Sequence, residues 1–234
     1  MEDKDFITIA LPKGKLFSLS TELLGKVGWT AEGLHEKSRK LVIANEAARL
    51  KFIITKTADV PTYVEYGAAD LGIIGKDVIL ESGKDVYELL DLGFGRCHLM
   101  MAVPKDKKRP RLEDYAHTRV ATKFPRIAES FFAAQGMQME YIKLNGSIEL
   151  SPIIGMSESI VDLVETGTTL RENNLEEIVT IMDATARLIA NRVSYKLKFD
   201  RINRLVTELS PLCQSLNPKV HKRPCPILKL RPCR

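Results

Sequence analysis

Ile160-Val161-Asp162-Leu163-Val164-Glu165-Thr166-Gly167-Thr168-Thr169-Leu170 carries a buried strand into a Gly/Thr loop and on to a helix start. A strand that delivers such a loop leaves several backbone N–H groups unpaired at the positive end of the helix dipole. That arrangement suits a phosphate monoester. Gly167 permits close backbone approach, and Thr166, Thr168 and Thr169 add hydroxyl donors. Asp162 and Glu165 would repel a phosphate if aimed at it, but carboxylates accept hydrogen bonds from a sugar diol. Phosphate donors beside two carboxylates suggest a ribose 5-phosphate. No Gly-Lys-Ser/Thr follows the glycine, so this is not a Walker loop. The same string also fits a plain strand-to-helix turn with Thr as N-cap. The paired acids favour the functional alternative.

On either side of this stretch, short apolar runs alternate with helical spacing. Phe6 to Leu11, Leu41 to Ala44, Phe52 to Ile54, Leu71 to Gly75 and His98 to Val103 read as strands. Leu16, Leu19, Leu23 and Leu24 recur at helical spacing up to Gly25 and Gly28. Asp59 reads as an N-cap, with Pro61 in the first turn of a helix that runs to Gly67. A second unit follows: a strand at Arg119 to Thr122, a helix from Ile127 to Gln135 and a strand from Met139 to Leu144. A short helix near Glu149 to Ile154 precedes the strand from Ser159 to Val164. Such alternation predicts an α/β protein with parallel sheets covered on both faces. Residues 1–103 with 185–210 are expected to form one lobe, and residues 104–184 a second that carries the loop. The charged run from Pro104 to Pro110 is the expected crossing, and Ile189 to Leu209 a helical return. Gly67-Ala68-Ala69-Asp70 before one strand echoes Gly155-Met156-Ser157-Glu158 before another, a hint that the lobes are alike.

Composition narrows the function classes. The net charge of +5 lies in the tail, where residues 211–234 hold six Lys or Arg and no acid, so the rest is close to neutral. This tail also has five of the eleven prolines and three of the four cysteines, and is expected to stay disordered. It has no aromatic residue to interleave with its charge, so a nucleic-acid module is not expected. No apolar run approaches the roughly 18 residues of a membrane span. The acidic, polar start Met1-Glu2-Asp3-Lys4-Asp5 is unlike a secretory signal, and a cytoplasmic protein is expected. Cysteine spacing fits neither a zinc site nor a disulfide framework.

Five segments resemble one family, the ATP phosphoribosyltransferases. Leu11-Pro12-Lys13-Gly14-Lys15-Leu16 is similar to its N-terminal signature, and Asp59 to Ile73 with Gly75-Lys76-Asp77 to its central stretch. Glu88-Leu89-Leu90-Asp91-Leu92 and Arg119-Val120-Ala121-Thr122-Lys123 resemble two further family segments. Asn145-Gly146-Ser147-Ile148-Glu149-Leu150-Ser151-Pro152, together with the Gly167 loop, resembles its phosphoribosyl-diphosphate site. The resemblance runs in unbroken order over residues 6 to 209. Departures are Lys15 and Lys56 where Arg is frequent, Glu158 where Asp is usual, and Asn174 in place of Gly.

The resemblance implies two α/β lobes like a type II periplasmic binding protein, with the active site in the cleft between them. It implies that N1 of ATP attacks C1 of phosphoribosyl diphosphate and pyrophosphate leaves, the first step of histidine biosynthesis. It further implies the short form of the family, which joins a histidyl-tRNA-synthetase-like regulatory subunit in a hetero-octamer. The residues expected to act on the leaving group and ATP phosphates are Lys13, Arg39 and Lys56. Asp162, Glu165, Thr166, Gly167, Thr168, Thr169, Ser147 and Glu149 are expected to bind phosphoribosyl diphosphate, and Gly14 and Lys123 to contact ATP. Glu149 also fits a plain helix-terminal acid. Mg²⁺ is expected to arrive on the substrate phosphates, with no metal ligand assigned to the protein. The alternative is a non-catalytic two-lobed protein that binds a phosphosugar or nucleotide.

Overall fold

The computed structural model describes residues 6–216. The chain passes through β1 (Ile7–Pro12), α1 (Lys15–Lys26), β2 (Val42–Asn45), β3 (Leu50–Thr55), α2 (Val60–Glu65), β4 (Leu71–Gly75), α3 (Lys76–Ser82) and β5 (Tyr87–Asp91). It continues with β6 (Cys97–Pro104), β7 (Arg119–Thr122), α4 (Pro125–Ala134), β8 (Glu140–Lys143), α5 (Leu150–Ile153), β9 (Ser159–Val164) and α6 (Thr168–Glu172). It ends in β10 (Leu175–Ala184), β11 (Ala186–Ala190), α7 (Arg192–Leu197) and α8 (Phe199–Leu216).

One sheet has the order β2-β3-β1-β4-β11-β5 and the other β10-β6-β9-β7-β8. Both are mixed, where the sequence suggested all-parallel sheets. β3, β1 and β4 are parallel neighbours, as are β8, β7 and β9, while β2, β5, β6, β10 and β11 pair antiparallel. Alternation along β1 sends Ile7, Ile9 and Leu11 to a core under α1 and α8, and Ala10 to a second core with Val60 and Val64 of α2. In the second sheet Val120 and Val161 pack with Phe132 of α4, whereas Ala121 and Ile160 pack with Leu170 of α6. Each sheet is thus covered on both faces.

The repeated Gly-x-x-acid string is a true structural repeat. Gly67 and Gly155 both have left-handed φ, 73° and 74°. Asp70 accepts from the Thr8 amide at 2.8 Å and Glu158 from the Arg119 amide at 2.8 Å, each at the start of the parallel neighbour strand. The reciprocal amides bond back, Asp70 N to Thr8 O and Glu158 N to Arg119 O. Each acid also meets a cation: Lys198 on Asp70 at 2.8 Å, and Arg119 on Glu158 at 2.7 Å.

Several expectations need correction. The passage between sheets is not the run from Pro104 to Pro110, because β6 already lies in the second sheet; the chain crosses at residues 92–96. Residues 97–103 therefore lie in a strand of the second sheet, and the chain passes back to the first sheet through Thr185. Thr185 Oγ1 and the Gly93 amide both donate to Asp91 Oδ1, at 2.8 and 3.0 Å, so one carboxylate ties the two passages together. The expected helix from Ile189 begins instead as β11, an apolar run enclosed between β4 and β5. α1 continues through Gly25, and the chain turns at Gly28, whose φ is 75°. Asp59 occupies the N-cap position of α2 in a helical conformation with no side-chain cap, because a 3₁₀ turn over Thr57–Asp59 leads into the helix. Residues 211–216 of the expected tail belong instead to α8, which carries Pro211 inside it and runs to Leu216. Ile202, Leu205, Leu209 and Cys213 form one buried stripe, and that packing outweighs the proline's lost hydrogen bond. The remainder of the expected tail, 217–234, lies outside the described residues.

Candidate active site

In open α/β sheets, ligands bind beyond the carboxyl ends of the parallel strands. The two sheets present those ends to each other. In the first, Pro12 pairs with Thr55, and the Lys13 amide donates to Thr55 O at 3.0 Å. Lys13 and Lys56 therefore leave adjacent strands side by side, both exposed. Gly14, at φ 90° and ψ −157°, turns the chain from β1 into α1 in a conformation open to glycine. Beyond β4 come Lys76 and the buried Asp77.

In the second sheet, Thr122 pairs with both Lys143 and Val161, so Lys123 and Asp162 lie side by side at the same level. Burial raises the Asp162 carboxyl from its ordinary value; Glu149 adds to the rise, while the Leu163 amide and Lys123 oppose it. These three side chains are hence close enough to feel one another. Glu149 stands at the N-cap position of α5 and makes no side-chain cap bond there. Ser147 has φ 49°, and its carbonyl accepts the Leu150 amide at 3.1 Å in the turn that leads to Glu149.

The loop after β9 is folded around Gly167, which has φ 70° and ψ 7° and caps the short helix α6. α6 spans only five residues, so its dipole is small. The Thr166 and Thr168 hydroxyls lie 3.1 Å apart. Arg171 donates to Thr166 O at 3.1 Å and to Thr168 Oγ1 at 3.2 Å, bracing the loop through its carbonyl side. Thr169 is exposed beside them.

Contacts across the cleft bring the ends together. Lys15 Nζ lies 2.8 Å from Glu165 Oε2. Asp77 of the first lobe is raised in pKa by burial, with Lys123 of the second opposing the rise. Cys97, at the crossing, is pushed up to about 11 by burial and then by Asp77 and Glu165, so its thiol stays protonated at neutral pH. Arg39 stands apart, exposed on the irregular segment between α1 and β2, with no strand end to hold it. Sequence reading passed over Arg171 and Asp77, and treated Lys15 only as a family departure. Arg171 sits four residues from Gly167, a spacing legible in the sequence, whereas Asp77 lies buried at the start of its own helix, where the Asp77 and Val78 amides bond its carboxylate.

Comparison with known proteins decides between enzyme and binding protein. The family model for ATP phosphoribosyltransferase matches residues 56–211. An ATP phosphoribosyltransferase of Desulfitobacterium hafniense is 55% identical over 216 residues, covering 89% of this chain and 97% of the relative. The chain belongs to the ATP phosphoribosyltransferase family. A second family relative, from Syntrophomonas wolfei, is 50% identical over 208 residues, covering 89% of this chain and 96% of its own. Among solved structures, the ATP phosphoribosyl transferase (HisG:HisZ) complex from Thermotoga maritima is similar with a TM-score of 0.77 and 30% identity, over 90% of this chain and 100% of that one. An L-arginine-bound protein, Tv2483, matches at TM-score 0.59 with 12% identity, over 91% of this chain and 88% of that one; it shares the two-lobed fold alone. Membership makes the chain a transferase that opens histidine biosynthesis by joining ATP to phosphoribosyl diphosphate with release of pyrophosphate, and the non-catalytic alternative falls away.

Proposed function

We propose that this ATP phosphoribosyltransferase chemistry takes place in the cleft, with phosphoribosyl diphosphate on the second lobe and basic groups of the first lobe opposite it. The observation that carries the reading is the Lys15–Glu165 pair at 2.8 Å, which sets the carboxyl ends of both sheets face to face. The amides of residues 165–169 hold the 5-phosphate, with the hydroxyls of Thr166, Thr168 and Thr169 beside them. Asp162 and Glu165 take the ribose hydroxyls, and Ser147 and Glu149 border the same sugar.

Breaking the C1–O bond builds positive charge on the ribose and negative charge on pyrophosphate, and catalysis requires that both be stabilised more in the transition state than before it. Carboxylates at Asp162 and Glu165 answer the first; Lys13, Lys56 and Arg39 answer the second and the ATP phosphates. Gly14 and Lys123 contact ATP from either side. N1 of ATP is itself the nucleophile, so no activated serine or cysteine is needed, in keeping with the protonated Cys97. Alignment by lobe closure contributes effective concentration.

Mg²⁺ fits as an ion carried on the diphosphate, because it prefers oxygen ligands and keeps several waters. Among the described residues no group of three His, Cys, Asp or Glu stands ready as a cage, whereas Asp162 and Glu149 supply carboxylates where a hydrated ion would pass. When bound, the ion neutralises diphosphate charge.

The chain works with a histidyl-tRNA-synthetase-like regulatory subunit in a hetero-octamer in the cytoplasm; the Thermotoga maritima complex supports the partnership. Copurification with such a subunit, followed by histidine titration of the activity, tests it. The site itself is tested by a crystal complex with phosphoribosyl diphosphate: 5-phosphate density against the 165–169 amides is expected, and density elsewhere in a productive complex overturns the assignment.

A further inference from the structure

The amides at the start of α4 can be followed one by one. Phe124 N donates to Thr122 Oγ1 at 2.9 Å, and Pro125 has no N–H to donate. Arg126 N and Ile127 N donate to Glu81 Oε1 at 3.3 Å and Oε2 at 3.1 Å. From Ala128 onward the helix closes its own bonds, beginning with Ala128 N to Phe124 O. Phe124 at the N-cap offers no side-chain acceptor. The first turn of a second-lobe helix is thus completed by a carboxylate of the first lobe, from the last turn of α3. The fit is reciprocal. α3 ends at Gly83 in the left-handed conformation, and a Cβ there would stand 2.2 Å from Arg126 Nη1.

The same two helices begin at the groups that face the cleft. α3 starts at Lys76 and Asp77, and α4 begins two residues after Lys123, which acts electrostatically on Asp77 of the first lobe and on Asp162 within its own. We infer that Glu81 is a positioning residue for phosphoribosyl transfer: by clamping α4 to α3 it sets the span between the basic groups of the first lobe and the loop of the second. This rests on the cleft assignment above. A carboxylate bound to two amides at a helix start fixes both distance and direction, and its loss leaves those amides to water and not unsatisfied. The fold should therefore survive its removal better than the alignment does.

The test uses the full chain, with any partner subunit its activity requires, as Glu81→Ala and Glu81→Gln. For Glu81→Ala, kcat is expected to fall by about 10- to 100-fold. Its affinity for phosphoribosyl diphosphate alone, by calorimetry, should stay within about twofold because the loop belongs to one lobe, and its melting temperature within a few degrees. Glu81→Gln keeps one acceptor oxygen and should lie between the variant and the parent; it carries the test if Glu81→Ala does not fold. A kcat equal to the parent's overturns the inference, as does a fall in kcat matched by equal losses of affinity and thermal stability. The two readings fail separately. Phosphoribosyl diphosphate on the loop with full kcat in Glu81→Ala sinks the positioning role alone, whereas density away from the loop sinks the cleft assignment.

Discussion

Gly167 shows most directly how one residue constrains this site. Its φ of 70° is left-handed, and an added Cβ would come within 3.2 Å of both Arg171 Nη1 and Glu177 Oε1. Gly167→Val therefore meets both backbone strain and crowding, and should weaken phosphoribosyl diphosphate binding by about 100-fold or more through distortion of the amide nest; calorimetry measures it, and normal binding contradicts the role. Asp162 carries a different cost. Burial raises its pKa above the ordinary 3.8, so the folded state holds its proton more tightly than the unfolded state does. The resulting stability is fully present below pH 3.8 and is lost as pH rises through the raised folded value. Asp162→Asn should accordingly melt at higher temperature than the parent at pH 7, show no such gain below pH 3.8, and bind phosphoribosyl diphosphate more weakly. Melting curves at the two pH values, beside one calorimetric titration, check all three. A carboxylate kept despite this cost is what a ribose-binding role requires.

Elements differ in how plainly they were written. β7 and β9 are legible to the residue: Val120-Ala121 centres the first, and in the second Ile160-Val161 and Leu163-Val164 flank Asp162. β10 was missed for a visible reason. Its pairing with β6 shifts between Glu177 and Val179 and again between Thr180 and Met182, so Ile178-Val179 and Ile181-Met182 are apolar doublets and the period of two is broken. α8 was cut short at Pro211 because proline usually ends a helix, yet the buried stripe continues to Cys213. Its entry is held by Lys198, which bonds both oxygens of the buried Asp70 at 2.9 and 2.8 Å and Phe6 O at 2.6 Å. Lys198→Met should destabilise the chain by about 3 kcal/mol by leaving Asp70 without its cation, and pairing it with Asp70→Asn should recover part of the loss. Denaturant midpoints of the two variants and the parent test the coupling.

At the scale of the whole molecule, two like units face each other across a cleft, and function depends on their register. Arg39 belongs to this scale because no strand end fixes it: the proposed site has it serve the leaving group from an exposed irregular segment of the first lobe. Arg39→Ala should lower turnover by about 100-fold with unchanged circular dichroism; unchanged turnover with both substrates saturating removes it from the site. The sequence alone determined what is local: the strands β1, β7 and β9, the Gly/Thr turn that follows β9, and the five segments that resemble the family. These follow from spacing and residue type within a dozen positions. Only the tertiary structure decided that β6 and β10 belong to the second sheet, that β11 is a strand between β4 and β5, and that Glu81 completes α4. Each of those rests on backbone groups that find partners many positions away, and an apolar run or an exposed-looking acid carries no local sign of which distant amide will meet it.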